Sequence, residues 1–317
     1  MKNSTSSAPM FLTVTAALLM AAAHLAPAQT AAGVAGILAR PQPLSDVAPS
    51  GAIPRIAKAP DVQPIQARQA QALLDGHLAP DLKLASGPGA GDVSWQIGTD
   101  GQSVMFVNRA AYKITDVSPR AARASNEELR AAATDFLEQK LLKDSAFKSL
   151  FPLGPKEDLK LTDSYSRVAT VYSPEEATTQ LMSRAFVFTR YYAGVPILGP
   201  GHKVVVTMTP AKVIAGIQIL LPRIVDSGAQ RKIVSREVFK ARALAEAKPS
   251  SGDAFFNQEI RGIRCGYFDP IDPAKPRPEI PAAAYRDFEP VCYVSRVVDA
   301  ERPEVPLTRL VVSIDDN

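Results

Sequence analysis

Histidine and cysteine, the side chains that most often hold zinc, are scarce in this sequence. Its 317 residues include three histidines and two cysteines. A zinc peptidase of the HExxH type needs two histidines on one helix face and a glutamate directly after the first. Neither His77 nor His202, the two that remain once an N-terminal signal is set aside, is followed by glutamate. The sequence excludes this class of enzyme, and we expect no metal and no cofactor.

Other catalytic signatures are missing as well. The sequence has no Gly-x-Ser-x-Gly elbow, and the Gly-rich stretch at 86–91 lacks the Lys and Ser/Thr of a phosphate-binding loop. The "IVDSGA" at 224–229 resembles an aspartic-peptidase motif, but that mechanism needs two carboxylates sharing a proton. We therefore interpret it as a turn between domains and expect a protein that is not an enzyme. An enzyme of unrecognised type would require a pocket with convergent polar groups.

Neither a strong charge bias nor a second long hydrophobic run is present. The formal net charge is +4, and Asp and Glu are interspersed among the Lys and Arg residues. Such a mixed surface gives no reason to expect nucleic acid or an anionic membrane as partner. Beyond the first 28 residues no apolar run is long enough to span a bilayer.

The N-terminus has the pattern of an export signal. Lys2 precedes the apolar run 11–23, and the small residues "APA" at 26–28 form a cleavage pattern. We expect residues 1–28 to be removed and the protein to be periplasmic or extracellular. In an oxidising compartment, Cys265 and Cys292 at the two ends of a proline-rich loop predict a disulfide bond.

The remaining chain divides by composition and periodicity. Residues 29–64 are rich in Pro and Ala and are predicted to be a tether that is disordered or an extended chain and buries little apolar surface. Residues 65–92 are predicted to hold a short helix and a Gly-rich loop. From residue 93 onward, alternating apolar positions and capping signals predict strands and helices. The predicted elements are a hairpin at 93–109, a helix at 125–142, a meander at 183–222, a helix at 235–248, and strands at 259–268, 290–299 and 307–315.

Strands grouped around single helices are typical of an α+β fold, with a helix packed on one face of each antiparallel sheet. Within the meander, the segment "AFVFTRYYAGVPILGPGHKVVVTMTPAKVIAGIQILLP" (185–222) resembles the fungalysin/thermolysin propeptide domain. Residues 233–248 resemble the helix of the PepSY domain that often follows it. The resemblance implies two tandem propeptide-like modules, at 93–224 and 225–317. The sequence departs from the family at Thr189, Arg190 and Leu198, and it contains no peptidase domain.

The resemblance also implies a function. Modules of this family inhibit a metallopeptidase or assist its folding, so we expect a secreted metallopeptidase as the partner, bound in trans. An envelope- or polymer-binding module that kept the propeptide fold is the alternative. The Tyr-Tyr turn supplies the candidate residues for partner contact or for the turn itself: Phe188, Arg190, Tyr191, Tyr192, Gly194, Val195, Pro196 and Gly199.

Overall fold

The computed structural model describes most of the folded chain. The described residues are 51–59, 62–75, 93–98, 101–112, 124–172, 177–199, 201–247, 260–269, 287–296 and 308–316. The predicted signal at 1–28 and the Gly-rich loop at 86–91 lie outside them, as does most of the loop between Cys265 and Cys292.

The described residues form twelve strands and four α-helices. The helices are α1 (Ala67–Asp75), α2 (Asn126–Asp135), α3 (Ser145–Leu150) and α4 (Arg236–Ala247), and α2 continues through a π-helical turn (Phe136–Lys140) into a 3-10 turn (Leu141–Lys143). The strands are β1 (Ala52–Lys58), β2 (Val93–Ile97), β3 (Ser103–Asn108), β4 (Glu157–Tyr172), β5 (Ala177–Tyr192), β6 (Val195–Leu198), β7 (Lys203–Met208), β8 (Ile214–Leu220), β9 (Ile224–Lys232), β10 (Ile260–Phe268), β11 (Glu289–Arg296) and β12 (Thr308–Ser313).

The strands form two sheets. A ten-stranded sheet has the order β12-β11-β10-β6-β5-β7-β8-β3-β2, with β4 also paired to β5. Its pairs are antiparallel except for β6 with β10, which run parallel. Strands β1 and β9 form a separate antiparallel pair. The protein is therefore a mixed α+β fold in which β-sheet predominates, as the sequence predicts.

The first hydrophobic core lies between the helices α1 to α3 and one face of strands β2 to β5, β7 and β8. Leu129, Ala133 and Leu137 recur at a spacing of four residues, so they share one helix face, and all three are buried. The predicted capping box starts this helix: Ser125 accepts a hydrogen bond from the Glu128 N–H, and the Glu128 side chain accepts one from the Ser125 N–H. Because the backbone N–H groups of Ser125 and Glu128 both have hydrogen-bond acceptors, the start of the helix is fixed at this position.

The second core is smaller and includes a covalent link. It contains residues of α4, β1 and β10 to β12, together with Tyr192, Val195 and Ile197 from the Tyr-Tyr hairpin. Cys265 and Cys292 lie directly opposite each other on β10 and β11, with Cα atoms 3.9 Å apart, and form the predicted disulfide. Closing a loop with a sequence separation of 27 residues stabilises the fold by roughly 3 kcal/mol in the chain-entropy model.

Two sequence predictions are corrected by the strand pair β1–β9. The prediction that residues 29–64 form a disordered or extended tether that buries little apolar surface is wrong for Ala52–Lys58, whose Ile53 and Ile56 side chains are buried in the second core. The Asp-Ser-Gly segment is not a turn between domains but part of β9. The physical reason is long-range: the proline-rich segment finds its apolar contacts and backbone partners in residues far along the chain, which its own composition does not reveal.

Candidate functional site

The Tyr-Tyr segment forms a tight hairpin between β5 and β6. Tyr192 pairs with Val195, so only Ala193 and Gly194 lie in the turn. Their φ angles are 48° and 80°, the left-handed values that a two-residue hairpin of this kind requires and that glycine adopts without strain. The Ala193 N–H donates to the Lys156 carbonyl at 2.7 Å, which ties the turn to the start of β4.

The large sheet divides into two branches immediately after this turn. We call this division, formed by β5, β6 and β7, the fork. Both β6 and β7 pair with β5, but β6 pairs on its other side with β10, whereas β7 pairs with β8. The chain bends between β6 and β7, as Gly199 and Gly201 predict. Gly199 has a φ of 111°. Strand β10 approaches β6 so closely that a Cβ atom on Gly266 would clash with the Pro196 carbonyl oxygen. Strand β6 is thus the connection between the two cores.

A buried ion pair lies on one side of the fork. The Arg190 side chain is 1% exposed and its guanidinium donates to the Glu157 carboxylate, with an Nε–Oε2 distance of 3.1 Å. A further guanidinium nitrogen donates to the Pro222 carbonyl. Burial lowers the pKa of Arg190, and the Glu157 charge opposes that shift. Because β4, β5 and the end of β8 each contribute one partner, the ion pair fixes their relative position.

A second buried polar cluster lies in the bend itself. His202 is fully buried, and its Nε2 lies 3.1 Å from Asp269 Oδ2, the oxygen that also receives Lys58 Nζ at 2.8 Å. Since a carboxylate only accepts, His202 donates from Nε2. Its Nδ1 has no hydrogen-bond partner among the described residues. Burial lowers the pKa of His202 to about 4, so the imidazole is neutral near pH 7.

Asp226 of the Asp-Ser-Gly segment is held in a way that does not suit an aspartic peptidase. The Tyr192 hydroxyl donates to Asp226 Oδ2 at 2.6 Å, and Lys156 Nζ lies 2.9 Å from the same oxygen. The hydrogen bond from Tyr192 and that from Lys156 lower the pKa of Asp226 to about 2. A catalytic aspartate pair shares a proton, which requires one carboxyl of raised pKa. This carboxylate is a structural acceptor between β5 and β9.

Most of the predicted motif residues are therefore interior. Phe188, Arg190, Tyr192, Val195 and Pro196 are buried. Gly194 is exposed in the turn, and Tyr191 and Gly199 are half-buried. Tyr191 and Tyr192 point to opposite faces, as the alternation of a strand requires. Of the two tyrosines only Tyr191 is accessible to a partner.

Charged side chains surround Tyr191 on the outer face. Lys160 Nζ lies 4.9 Å from the centre of its ring, within the range of a cation–π contact. Arg264 from β10 reaches Asp163 on β4, with Nη1 and Oδ2 2.9 Å apart. In the described residues no group of three or more His, Cys, Asp or Glu side chains is placed to hold a metal ion.

A long two-stranded ribbon, whose length the sequence does not indicate, lies next to the fork. β4 and β5 pair from Glu157 opposite Tyr192 to Tyr172 opposite Ala177, whereas β7 accompanies β5 only from Arg184 to Thr189. The outer edge of β4 has no partner strand in the described part of the chain. Tyr165 and Val168, 48% and 58% exposed, project from this strand. The only sequence signal was the run of Thr, Tyr and Val between Leu161 and Tyr172.

Comparisons with known proteins add no assignment. A scan against protein-family models finds no match, and a search of curated proteins finds none either. The helices in the described ranges are each too short or too polar to cross a bilayer. The geometry of the fork and the ribbon, together with the motif of the Tyr-Tyr turn, is therefore the basis for a functional proposal.

Proposed function

We propose that this protein is an exported, non-catalytic binding protein made of two tandem propeptide-like modules, at 93–224 and 225–317. Its partner is a secreted metallopeptidase, which it inhibits or helps to fold in trans. The observation that carries the proposal is the outer edge of β4 on the long ribbon, with which none of the described strands pairs. The resemblance of the Tyr-Tyr turn to a propeptide motif names the class of partner.

An open strand edge is suited to binding an extended polypeptide. Its unpaired backbone N–H and C=O groups form main-chain hydrogen bonds with an added strand, while exposed side chains provide selectivity. β4 spans the 16 residues from Glu157 to Tyr172, longer than the strand next to β5 on its other side. The cleft of a peptidase and its flanking strands also bind an extended polypeptide through main-chain hydrogen bonds.

The two halves of β4 differ in how open that edge is. The half near the fork contains Asp158, Lys160 and Asp163, whereas the register with β5 shifts in both halves, between Leu161 and Asp163 and between Arg167 and Val168. Charges on an edge strand discourage unspecific pairing. The segment 164–169 has Arg167 as its only charged residue. This segment, with Tyr165 and Val168, is therefore the proposed contact.

The test is inhibition of proteolysis by the chain from residue 29 onward. Titrated into culture supernatant of the source organism, it should abolish the chelator-sensitive part of casein hydrolysis at near-stoichiometric amounts. Replacing Tyr165 and Val168 together by Lys should raise the inhibitory concentration at least tenfold, since both side chains are exposed and lie on the contact strand.

Val311→Lys is the matched control. Val311 is 45% exposed on β12, the edge strand at the other end of the same sheet. This variant should inhibit like the unmodified protein. If the folded, disulfide-bonded protein leaves the chelator-sensitive activity unchanged and does not accelerate refolding of the denatured peptidase, the proposal fails. Retention on isolated envelope material in that case would establish the envelope-binding alternative.

A further inference from the structure

A cleft on the first core contains no residue of the ribbon and borders the fork at Leu221 and Arg223, on either side of the Pro222 carbonyl that Arg190 binds. It encloses about 270 Å³ between the segment preceding α1, the end of α3 and the residues that follow β8. Ile65, Leu150 and Leu221 form its apolar floor. Leu221 is buried, and the other two pack against the first core. The floor is therefore a fixed surface.

The rim of the cleft is rich in amides and carries one cation. Gln63, Gln66, Ser149 and Arg223 line it, and all four residues are exposed. None of their side chains has a hydrogen bond or ion pair within the described ranges. By contrast, Gln69 accepts a hydrogen bond from the Gln66 N–H at 2.8 Å and is occupied. A rim of free donors and acceptors above an apolar floor is the usual composition of a ligand site.

We propose that this cleft binds the carboxyl-terminal residues of an extended peptide. Arg223 pairs with the terminal carboxylate, because a guanidinium presents two parallel donors to its two oxygens. The glutamine amides each offer a donor and an acceptor and so complement peptide groups. The apolar floor receives an aliphatic side chain.

The composition of the cleft favours this ligand over other classes. None of the described side chains that line it is aromatic, so they offer no stacking surface of the kind that a nucleobase would use. Arg223 is the only cationic residue among the described lining residues, which suits one carboxylate better than a polyanion. The described lining residues beside Ser149 include no His, Asp, Glu or Lys. Without a base to activate that hydroxyl, the arrangement is suited to binding and not to hydrolysis.

The chain carries a natural reporter for this site. Trp95 is the single tryptophan, and its indole N–H donates to Gln71 Oε1 at 3.1 Å. Gln71 lies on α1, whose first turn lines the cleft through Gln69. A ligand that shifts α1 changes the environment of this indole. Its fluorescence and calorimetry provide two independent readouts of binding.

The test compares N-acetyl-Gly-Ala-Leu bearing a free carboxylate with the same peptide bearing a terminal amide. We expect the acid to bind saturably to the full chain and the amide to bind at least tenfold more weakly, as expected for loss of a charge-assisted hydrogen bond. Arg223→Gln should weaken binding of the acid about tenfold and remove the preference for it. Arg130→Gln is the control, since Arg130 is an exposed arginine on α2 that does not line the cleft.

Three results would each overturn the inference: no saturable binding of either peptide to the folded protein, equal affinity for acid and amide, or unchanged affinity in Arg223→Gln. The variant with Lys at positions 165 and 168 should retain peptide binding. The cleft and the ribbon are thereby tested separately, so failure of the proposed peptidase partner leaves this inference standing.

Discussion

The interior of the first core and the interior of the fork are built from different chemistry. The buried polar residues on β2 and β3 and directly after β7, such as Ser94, Asn108 and Thr209, are uncharged. The buried charged or titratable residues at the fork are Arg190, His202 and Asp269. Hydrophobic burial stabilises a core without specifying one arrangement, whereas buried ions are costly in any arrangement that separates them from their partners. We infer that the fork's charges specify how the two cores meet.

The second core is stabilised by a covalent cross-link and by ion pairs between distant segments. Besides the disulfide, the second core includes strand β1. Arg231 forms ion pairs with both Asp287, at 3.2 Å, and Asp315, at 2.9 Å. A small set of apolar residues buries too little surface to offset the loss of chain entropy. Cross-links and ion pairs between distant segments compensate for this.

Removal of Arg190 is expected to have the largest effect. Arg190→Met leaves the Glu157 carboxylate buried without its partner, which costs about 3–5 kcal/mol in the free energy of unfolding. Urea denaturation followed by circular dichroism measures this loss. Adding Glu157→Gln should restore a large part of it, because the unpaired charge is then removed.

The exposed pair of Arg130 and Glu127, 3.8 Å apart on α2, supplies the control. Arg130→Met should change the free energy of unfolding by less than about 0.5 kcal/mol. A loss below about 1 kcal/mol in Arg190→Met would contradict the view that the fork depends on its buried charges.

Acid should weaken the fork before it weakens the first core. Burial lowers the pKa of His202 from 6.5 to about 4, an effect that Asp269 opposes and that the charge of Arg190 reinforces. Since the unfolded state binds this proton more readily, the stability contributed by the neutral imidazole is complete above pH 6.5. It is lost as the pH falls towards 4, and the total is about 3 kcal/mol. Urea unfolding at several pH values between 6.5 and 4.5 measures the slope.

His202→Asn separates this titration from that of the carboxylates. His202 has a φ of 58°, and asparagine is among the residues that tolerate this left-handed conformation. The variant should show a markedly shallower dependence of stability on pH in that interval. An identical slope in both proteins would show that His202 is not the acid-sensitive group.

The elements that the sequence predicts correctly are those marked by local patterns of residues. The capping box at Ser125 and Glu128, the positive φ at Gly194 and the disulfide are each marked by a few neighbouring or spaced residues. Strand β1 is not predictable from its own residues, because Pro54 interrupts the strand pattern and the pairing partner, β9, lies far along the chain. The polar cluster at the fork is not predictable from the sequence, because His202 and Asp269 are 67 residues apart. Neither segment contains a pattern that indicates contact with the other.

The smallest expected effect separates the two tyrosines of the turn. Tyr192→Phe removes the hydroxyl that donates to Asp226, so the free energy of unfolding should fall by about 1 kcal/mol. Tyr191→Phe is the matched control, since the Tyr191 hydroxyl has no hydrogen-bond partner among the described residues, and stability should change by less than about 0.5 kcal/mol. Urea unfolding of both variants at pH 7 gives the comparison. Equal losses would mean that the Tyr192–Asp226 contact does not help to hold β9 against the fork, and the charged interior would then be limited to Arg190 and the His202 cluster.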